Sequence, residues 1–230
     1  FNAQLCNSLM GGIDSESLIY ELEQRQLFIF RVEGQERWYR FQDIFRDSLL
    51  KHLKHSSETS WESLQDQAVS AFIDNNLTIE AVQLGLQLKT HSVIFNLLNK
   101  AGVDLYRSGQ FTTLTKLFEC LNIQLIKKDP VLSLLYAWVL LATYREDDVS
   151  SLLPDQTEKD QQLPSHVLAE HSVAQAQAAI NVEDFNLANS LAEQAIAHLK
   201  PDSFVSRTVI YSVMGQSALC RGELSNAVSL

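Results

Sequence analysis

The sequence predicts a mainly α-helical protein, a TPR-like right-handed superhelix of helical hairpins preceded by a small winged-helix-like module with one β-hairpin. The 230 residues are 46% hydrophobic, which is enough apolar content for a sizeable core. Eight Gly and four Pro make up about 5% of the chain, against a usual share of roughly 12%, so the composition disfavours a mainly β fold. Helical apolar periodicity recurs from Trp61 onward at intervals of 34 to 39 residues.

The first predicted domain covers residues 1–54 and has the pattern of a winged helix. Asp14 and Ser15 are expected to cap a helix over residues 15–25. Residues 27–32 and 37–41 are rich in aromatic and β-branched residues, so they predict a strand pair with a four-residue connection. A second amphipathic helix follows from Ile44 to Leu53.

The second predicted domain covers residues 55–230 and consists of helical hairpins. An apolar residue follows each polar break, namely at Leu77, Phe111, Val149, Phe185 and Leu224. Nine residues earlier the chain has mostly small residues, namely Ala68, Gly102, Leu140, Ala176 and Gly215. Each hairpin leaves one apolar face uncovered and needs the next hairpin to cover it. Leu230 falls inside a predicted helix, so the domain is expected to be truncated at its C-terminal end.

Breaks between hairpins are expected at particular dipeptides and prolines. The third break is predicted at Asp147-Asp148, interpreted as a solvated turn. Pro130 and Pro201 fit helix starts or interruptions between units. Residues 154–164 are almost wholly polar between two prolines and predict a surface loop.

The charge distribution restricts the partners. Eighteen Lys and Arg against 28 Asp and Glu give a net charge of -10, which repels phosphate backbones. Three cysteines at spacings of 114 and 100 fit neither a disulfide framework nor a metal clip. We therefore expect the cysteines to be reduced thiols in a cytoplasmic protein. No apolar run of about 18 residues occurs, so we expect no contact with a membrane.

Catalytic and metal motifs are absent from the sequence. No Gly-Lys dipeptide occurs, so there is no Walker loop, and no GxSxG nucleophile elbow occurs. His166, Glu170 and His171 miss a metal-binding spacing by one residue and lack a third convergent ligand. We therefore expect no enzyme activity, no metal and no cofactor within this segment.

Arginines in residues 1–54 open the alternative of a DNA-binding winged helix. They are Arg25, Arg31, Arg37, Arg40 and Arg46. Residues 1–54 hold seven basic and eight acidic residues, and no helix carries the basic cluster of a groove reader. Solvated arginines on a packing module are favoured, with no direct nucleic-acid contact.

A candidate ligand surface follows from the repeat register. The concave positions of the first helices are predicted to include Asn99, Tyr106, Arg107, Trp138, Tyr144, Arg145, Glu170, Gln177 and Gln216. Flat aromatics with planar hydrogen-bonding groups suit a carbohydrate or another polar ligand. The same set equally suits a peptide or packing between hairpins, and for Trp138 and Tyr144 core packing is favoured over ligand contact.

Several stretches resemble MalT-like transcription activators, which are LuxR-type regulators of the signal-transduction ATPase class. The resemblance rests on the runs 1–3, 22–29, 38–41, 44–50, 130–132, 136–138, 206–207 and 220–224, together with Gly215. It covers nearly the whole chain, and the early run at residues 22–29 is fairly specific, whereas the repeat pattern alone is generic.

The resemblance implies a regulatory fragment with partners in the same chain, an upstream ATPase module and a downstream DNA-binding domain. It further implies a small oligosaccharide inducer of the malto-oligosaccharide class, and ATP that favours self-association of the full-length protein. Gln42 stands where the family commonly has a His, so Gln42 is a nucleotide-proximal candidate. A stand-alone TPR-like scaffold that docks proteins remains the alternative from another class.

Overall fold

The computed structural model describes residues 1–11, 13–32, 37–56, 60–153 and 163–223. Its contacts divide the chain into two compact units, residues 1–101 and 102–230. The expected domain boundary between residues 54 and 55 stays a prediction. The expected connection at residues 33–36, most of the polar loop at 154–164, and Leu224 lie outside the described residues.

The first unit begins with the winged-helix elements. They are α1 (Ala3–Met10), α2 (Ser15–Gln24), β1 (Ile29–Arg31), β2 (Tyr39–Phe41) and α3 (Asp43–Ser56). The strands pair antiparallel with Phe30 opposite Arg40. The predicted cap is confirmed, because the Asp14 carboxylate accepts the Ser17 N–H at 3.1 Å. The strands are shorter than predicted, and α1 was not predicted at all.

The first unit continues with a helical hairpin and the start of the next one. The helices are α4 (Trp61–Asp74), α5 (Thr78–Leu88) and α6 (His91–Arg107), of which α6 runs across the division between the units. Asn96 of α6 donates its side-chain N–H to Ser70 Oγ of α4 at 3.0 Å. A Cβ on Gly85 of α5 would lie 3.0 Å from Leu97 Cδ2 of α6, so the absence of a side chain permits this close approach.

The second unit contains the later hairpins. Its helices are α7 (Phe111–Glu119), α8 (Ile123–Lys128), α9 (Pro130–Ala142), α10 (Glu146–Leu152), α11 (Ser165–Asn181), α12 (Phe185–Ile196) and α13 (Phe204–Cys220). Helix α11 contacts both helices of the hairpin before it, α9 and α10, and α13 contacts both α11 and α12. Each hairpin therefore covers the apolar side of its neighbour, as in a TPR-like array.

An apolar cluster fills the space between α11, α12 and α13. Its fully buried members include Val173, Ala176, Ala192 and Ile210, and Trp138 of α9 packs against it. Small alanines allow the helices to approach closely, and the larger aliphatic side chains occupy the space that remains.

The same turn recurs at the ends of α4, α6, α9, α11 and α13. One residue in the left-handed region ends each first helix, namely Asn76, Gly109, Tyr144, Glu183 and Gly222. The N–H of the residue after it donates to the carbonyl five positions earlier at 2.8–3.0 Å, as in Leu77 to Phe72 and Arg145 to Leu140. This is the Schellman arrangement, which satisfies carbonyls that the helix end leaves unpaired.

The predicted third break is wrong. Asp147 and Asp148 lie inside α10, and the chain turns at Tyr144 instead. Acidic residues in the first turn of a helix are stabilised by the positive end of its dipole, so Glu146-Asp147-Asp148 starts a helix rather than interrupting one.

The corrected register aligns the buried positions better. The fourth residues of α5, α7, α10 and α12 are Ala81, Leu114, Val149 and Ala188, and all four are 0% exposed. The residues nine before the helix starts are Val69, Gly102, Ala137 and Ala176, all buried. In the corrected register, Ala137 takes the place of Leu140 and Val69 takes the place of Ala68. Three of these four buried positions therefore carry small residues.

Candidate functional site

The predicted ligand residues on α6 have local partners. Asn99 is exposed and donates its side-chain N–H to the Phe95 carbonyl at 3.0 Å. Tyr106 packs edge-on against Phe111 with 5.3 Å between ring centroids, and burial raises the pKa of its phenol. The exposed Arg107 guanidinium lies 3.7 Å from the Asp104 carboxylate.

Around the turn after α9, two of the expected positions need correction. Trp138 packs against the apolar cluster of α11 to α13, so core packing is right for it. Tyr144 is 88% exposed, so core packing is wrong for it. Tyr144 and Arg145 lie in the turn after α9 and not on a first helix, because the break comes earlier than predicted. Arg145 binds the Asp148 carboxylate at 2.7 Å.

The remaining predicted ligand residues lie on α11 and α13. Glu170 accepts a hydrogen bond from the Ser206 hydroxyl, which links these two helices. Gln177 donates to Asn181 at 2.9 Å, and Gln216 donates to Ser212 at 3.0 Å, each within its own helix. None of the nine predicted residues lines the 510 Å³ groove described for the second unit, which sequence reasoning missed.

A carboxylate and arginine cluster holds the hairpin of the winged helix against α2. Glu23 accepts two hydrogen bonds from the Arg31 guanidinium and lies 3.5 Å from the Tyr39 hydroxyl. These contacts lower the pKa of Glu23 and raise the pKa of Arg31, with the hydrogen bond between them as the main cause. The cluster borders a 270 Å³ cleft that also includes Ile19 and Tyr20.

The winged helix contacts the first hairpin directly through α1 and α4. Asn75, at the end of α4, donates one side-chain N–H to Ser8 Oγ of α1 at 2.9 Å. Its other donation goes to the Ala71 carbonyl at 2.7 Å, so the same amide caps α4 and crosses to α1. We call this the α1–α4 junction, and a 370 Å³ cleft beside it is lined by Ser8, Asp66 and their neighbours.

Comparison with known proteins identifies the first module and extends to the rest of the chain. The family model of the MalT winged helix domain matches residues 1–61. The HTH-type transcriptional regulators MalT of Vibrio campbellii and of Vibrio cholerae are each 27% identical to the chain over 234 residues, covering 100% of it. The chain is therefore similar to MalT regulators along its whole length. MalT of Serratia proteamaculans gives the same identity over 233 residues.

The chain spans about a quarter of the length of these MalT relatives, since 26% of each is covered. No solved structure matches the chain. The resemblance predicted from the short runs is therefore confirmed along the whole sequence, as a fragment similar to one part of MalT.

In the winged helix, Gln42 lies at the end of the hairpin, directly before α3. Its backbone N–H donates to the Phe28 carbonyl at 2.7 Å, and its carbonyl accepts the Arg46 N–H at 2.8 Å. The residue is exposed. These bonds join the base of the hairpin to the first turn of α3, and the role of Gln42 near nucleotide stays a prediction.

Two members of the incomplete metal motif have other partners in the structure. His171 is buried against the Pro130 carbonyl, and Glu170 is bonded to Ser206. Across the described residues no group of three or more His, Cys, Asp or Glu is placed to hold a metal ion. In the same part of the chain, no helix is both long and apolar enough to span a bilayer.

Proposed function

We propose that this chain is the regulatory part of a MalT-like transcription activator, in which inducer binding to the helical hairpins is coupled to the nucleotide-dependent oligomeric state. The observation that carries the proposal is the α1–α4 junction, in a chain that is similar to MalT over its whole length. The junction is a direct connection between the winged helix and the first hairpin.

Coupling of this kind needs an element with two arrangements that both ligands bias. A ligand that shifts α4 changes the geometry of the Asn75–Ser8 hydrogen bond, because the Asn75 amide is already committed to the last turn of α4. Helix α1 belongs to the same module as the hairpin and Gln42. A change at α4 therefore reaches the module that we place next to an upstream ATPase module.

The proposed partners follow from this role. They are an upstream ATPase module with ATP, a downstream DNA-binding domain, a malto-oligosaccharide inducer and further copies of the complete protein. We place the regulator in the cytoplasm; its three cysteines are unpaired thiols.

The first test is to sequence the complete reading frame around this chain. We expect a GxxxxGK[ST] phosphate loop upstream and a helix-turn-helix segment downstream. A frame without the phosphate loop would overturn the proposal in favour of a stand-alone scaffold that docks other proteins.

The second test measures coupling in the complete protein. ATP-dependent oligomerisation is followed by light scattering with and without maltotriose, for the wild type, Asn75→Ala and Ser8→Ala. We expect maltotriose to promote oligomerisation in the wild type and both variants to reduce that effect by at least threefold. Asn186→Ala, at an exposed site in α12, is the matched control and should behave as the wild type.

Oligomerisation that ignores maltotriose in the wild type contradicts inducer coupling. A maltotriose effect that survives both junction variants contradicts the route through α1 and α4. The two results are distinguishable because the first concerns the ligand and the second concerns the path.

A further inference from the structure

A groove in the second unit lies outside every predicted ligand position. It has a volume of 510 Å³ and is lined by α10, α11 and α12. Its floor is apolar and is formed by Ala178 and Ala179 of α11, Val182 directly after α11, and Leu187 and Leu191 of α12. Val182 is 55% exposed and Leu187 is 49% exposed, so large apolar side chains face solvent at adjoining positions.

The charge of the groove has one sign. Glu146 and Asp147 of α10 line one side, and no lysine or arginine lines it. Glu146 accepts a hydrogen bond from Asn181 at 2.9 Å but has no cation beside it in the groove. Among the described residues Asp147 has no ion-pair partner. An occupant must therefore supply positive charge next to its apolar surface.

The remaining lining groups are short polar side chains. Ser150 lies on α10, Gln175 on α11, and Ser190 and Gln194 on α12. Hydroxyls and amides offer both donors and acceptors along the edges of the floor. A polar rim around an apolar floor is the usual composition of a surface that binds another protein.

We infer that this groove binds a basic amphipathic helix of a protein partner, with leucine-like side chains on the floor and Lys or Arg against Glu146 and Asp147. The stretch from Gln175 on α11 to Val182 directly after it spans about 10 Å at 1.5 Å per residue, which matches about two turns of a partner helix. A carbohydrate is disfavoured because the lining contains no aromatic ring, and a polyanion is repelled by the carboxylates.

The inference goes beyond the proposed function, because none of the proposed inducer contacts lies in this groove.

The experiment uses the full 230-residue chain and a fluorescein-labelled 14-residue peptide of Leu and Lys arranged as an amphipathic helix. Two comparison peptides have Glu in place of Lys, or the same composition in an order that forms no apolar face. Fluorescence anisotropy at physiological salt should give at least tenfold tighter binding for the basic amphipathic peptide than for either comparison. Equally tight binding of the peptide that has the same composition but no apolar face overturns the inference.

Paired variants locate the binding. Val182→Lys with Leu187→Lys adds two charges on the floor and should weaken binding at least tenfold. Val103→Lys with Leu219→Lys adds the same two charges at exposed apolar sites that do not line the groove, and should weaken binding much less. If both double variants lose peptide binding equally, only the net charge of the chain matters. That result would overturn the inference that the groove is the binding site.

A second pair keeps the shape of the groove and tests its charge if the lysine variants fail to fold. Glu146→Gln with Asp147→Asn should weaken binding about fivefold. Glu193→Gln with Asp202→Asn removes the same charge at positions that do not line the groove and should leave binding close to that of the wild type. Unchanged binding in the groove pair overturns the inference.

Discussion

Tyr144 and Glu183 hold left-handed backbone positions that glycine holds in two other hairpin turns. Their φ angles are 58° and 63°, against 73° for Gly109 and 77° for Gly222. A Cβ in this region costs roughly 1–2 kcal/mol. Replacing the residue with glycine removes this strain. The gain in stability is smaller than the full strain energy, because glycine loses more backbone entropy on folding.

We predict that Tyr144→Gly raises the free energy of unfolding by about 0.5–1 kcal/mol. Little contact is lost with the ring, since Tyr144 is 88% exposed. Urea unfolding followed by circular dichroism measures the change. Tyr144→Ala is the control at the same position, because it removes the ring and keeps the Cβ. Equal stability of the Gly and Ala variants would contradict backbone strain as the cause.

His171 is a buried titratable group between α11 and the start of α9. It is 2% exposed, its Nε2–H donates to the Pro130 carbonyl at 3.2 Å, and Nδ1 has no hydrogen-bond partner among the described residues. Burial lowers the pKa of His171, and the Pro130 carbonyl and the Glu170 carboxylate oppose that shift only in part. The folded protein therefore holds a neutral imidazole at a pH where the unfolded chain is protonated.

We predict that His171 makes the protein less stable as pH falls below about 6.5, the pKa of an unperturbed histidine. The unfolded state then binds the proton first, so the free energy of unfolding decreases until pH passes the lower pKa of the folded state. Above pH 6.5 this contribution is constant. Urea unfolding of the wild type and His171→Gln from pH 5 to 8 should show a smaller decrease in the variant, whose amide retains a donor for Pro130. Parallel pH profiles would refute the assignment to His171.

At the scale of the helices, the position of the third turn decides which residue of α9 approaches its neighbours most closely. Ala137 is 0% exposed and occupies the column shared with Gly102 and Ala176. Leu140 was expected there and is instead a large side chain in the core, 1% exposed. Placing a larger side chain at a buried small position typically costs about 1–3 kcal/mol of stability. Swaps that conserve side-chain volume usually cost less than about 1.5 kcal/mol.

We predict that Ala137→Leu lowers the free energy of unfolding by about 1–3 kcal/mol, while Leu140→Met costs less than about 1.5 kcal/mol. The comparison tests the register, because the predicted break at Asp147-Asp148 would place the small residue at position 140. Thermal and urea unfolding of both variants give the values. A larger loss in Leu140→Met than in Ala137→Leu would restore the original register.

These elements also show how far the sequence could predict the fold. The breaks at Asn75-Asn76 and Gly109-Gln110 were predictable because Asn and Gly commonly take the left-handed position. Tyr144 carries no such signal, and the acidic run after it looks like a turn unless the helix dipole is considered. Helix α1 was missed although Asn2 caps it by accepting the Leu5 N–H at 2.8 Å, since one capping residue before a short helix is a weak signal.

Across the whole molecule, the function class was easier to predict than the site. The short runs were enough for the resemblance to MalT, because a sequence resemblance depends only on the residues and not on how the helices pack. Ligand positions depended on the register and on which side chains remain free after packing. Trp138 is used in the core and Glu170 in a bond to Ser206, whereas the groove at Val182 and Leu187 forms only when α11 and α12 are packed together.

The charge of the whole chain and the pairing of its arginines bear on DNA binding. In the winged helix, Arg25 pairs with Glu21 at 2.6 Å, and Arg31 pairs with Glu23. Arg37 lies 3.7 Å from Glu16, and Arg46 lies 3.0 Å from Asp47. Arg40 is the one member of this set of five for which the described residues include no ion-pair partner. Paired guanidiniums contribute little attraction for phosphate, and the net charge of -10 opposes it.

We predict that the chain does not bind duplex DNA at physiological salt, and that any binding at low salt falls steeply as salt is added, since it rests on phosphate contacts alone. A mobility-shift titration with a 30-base-pair duplex at 50 and 150 mM NaCl measures this. Arg37→Ala with Arg40→Ala should therefore leave the result at 150 mM unchanged. A complex that persists at 150 mM and is lost in this double variant would instead make the winged helix a DNA-binding surface, because the hairpin arginines would then hold the phosphates despite the acidic surroundings.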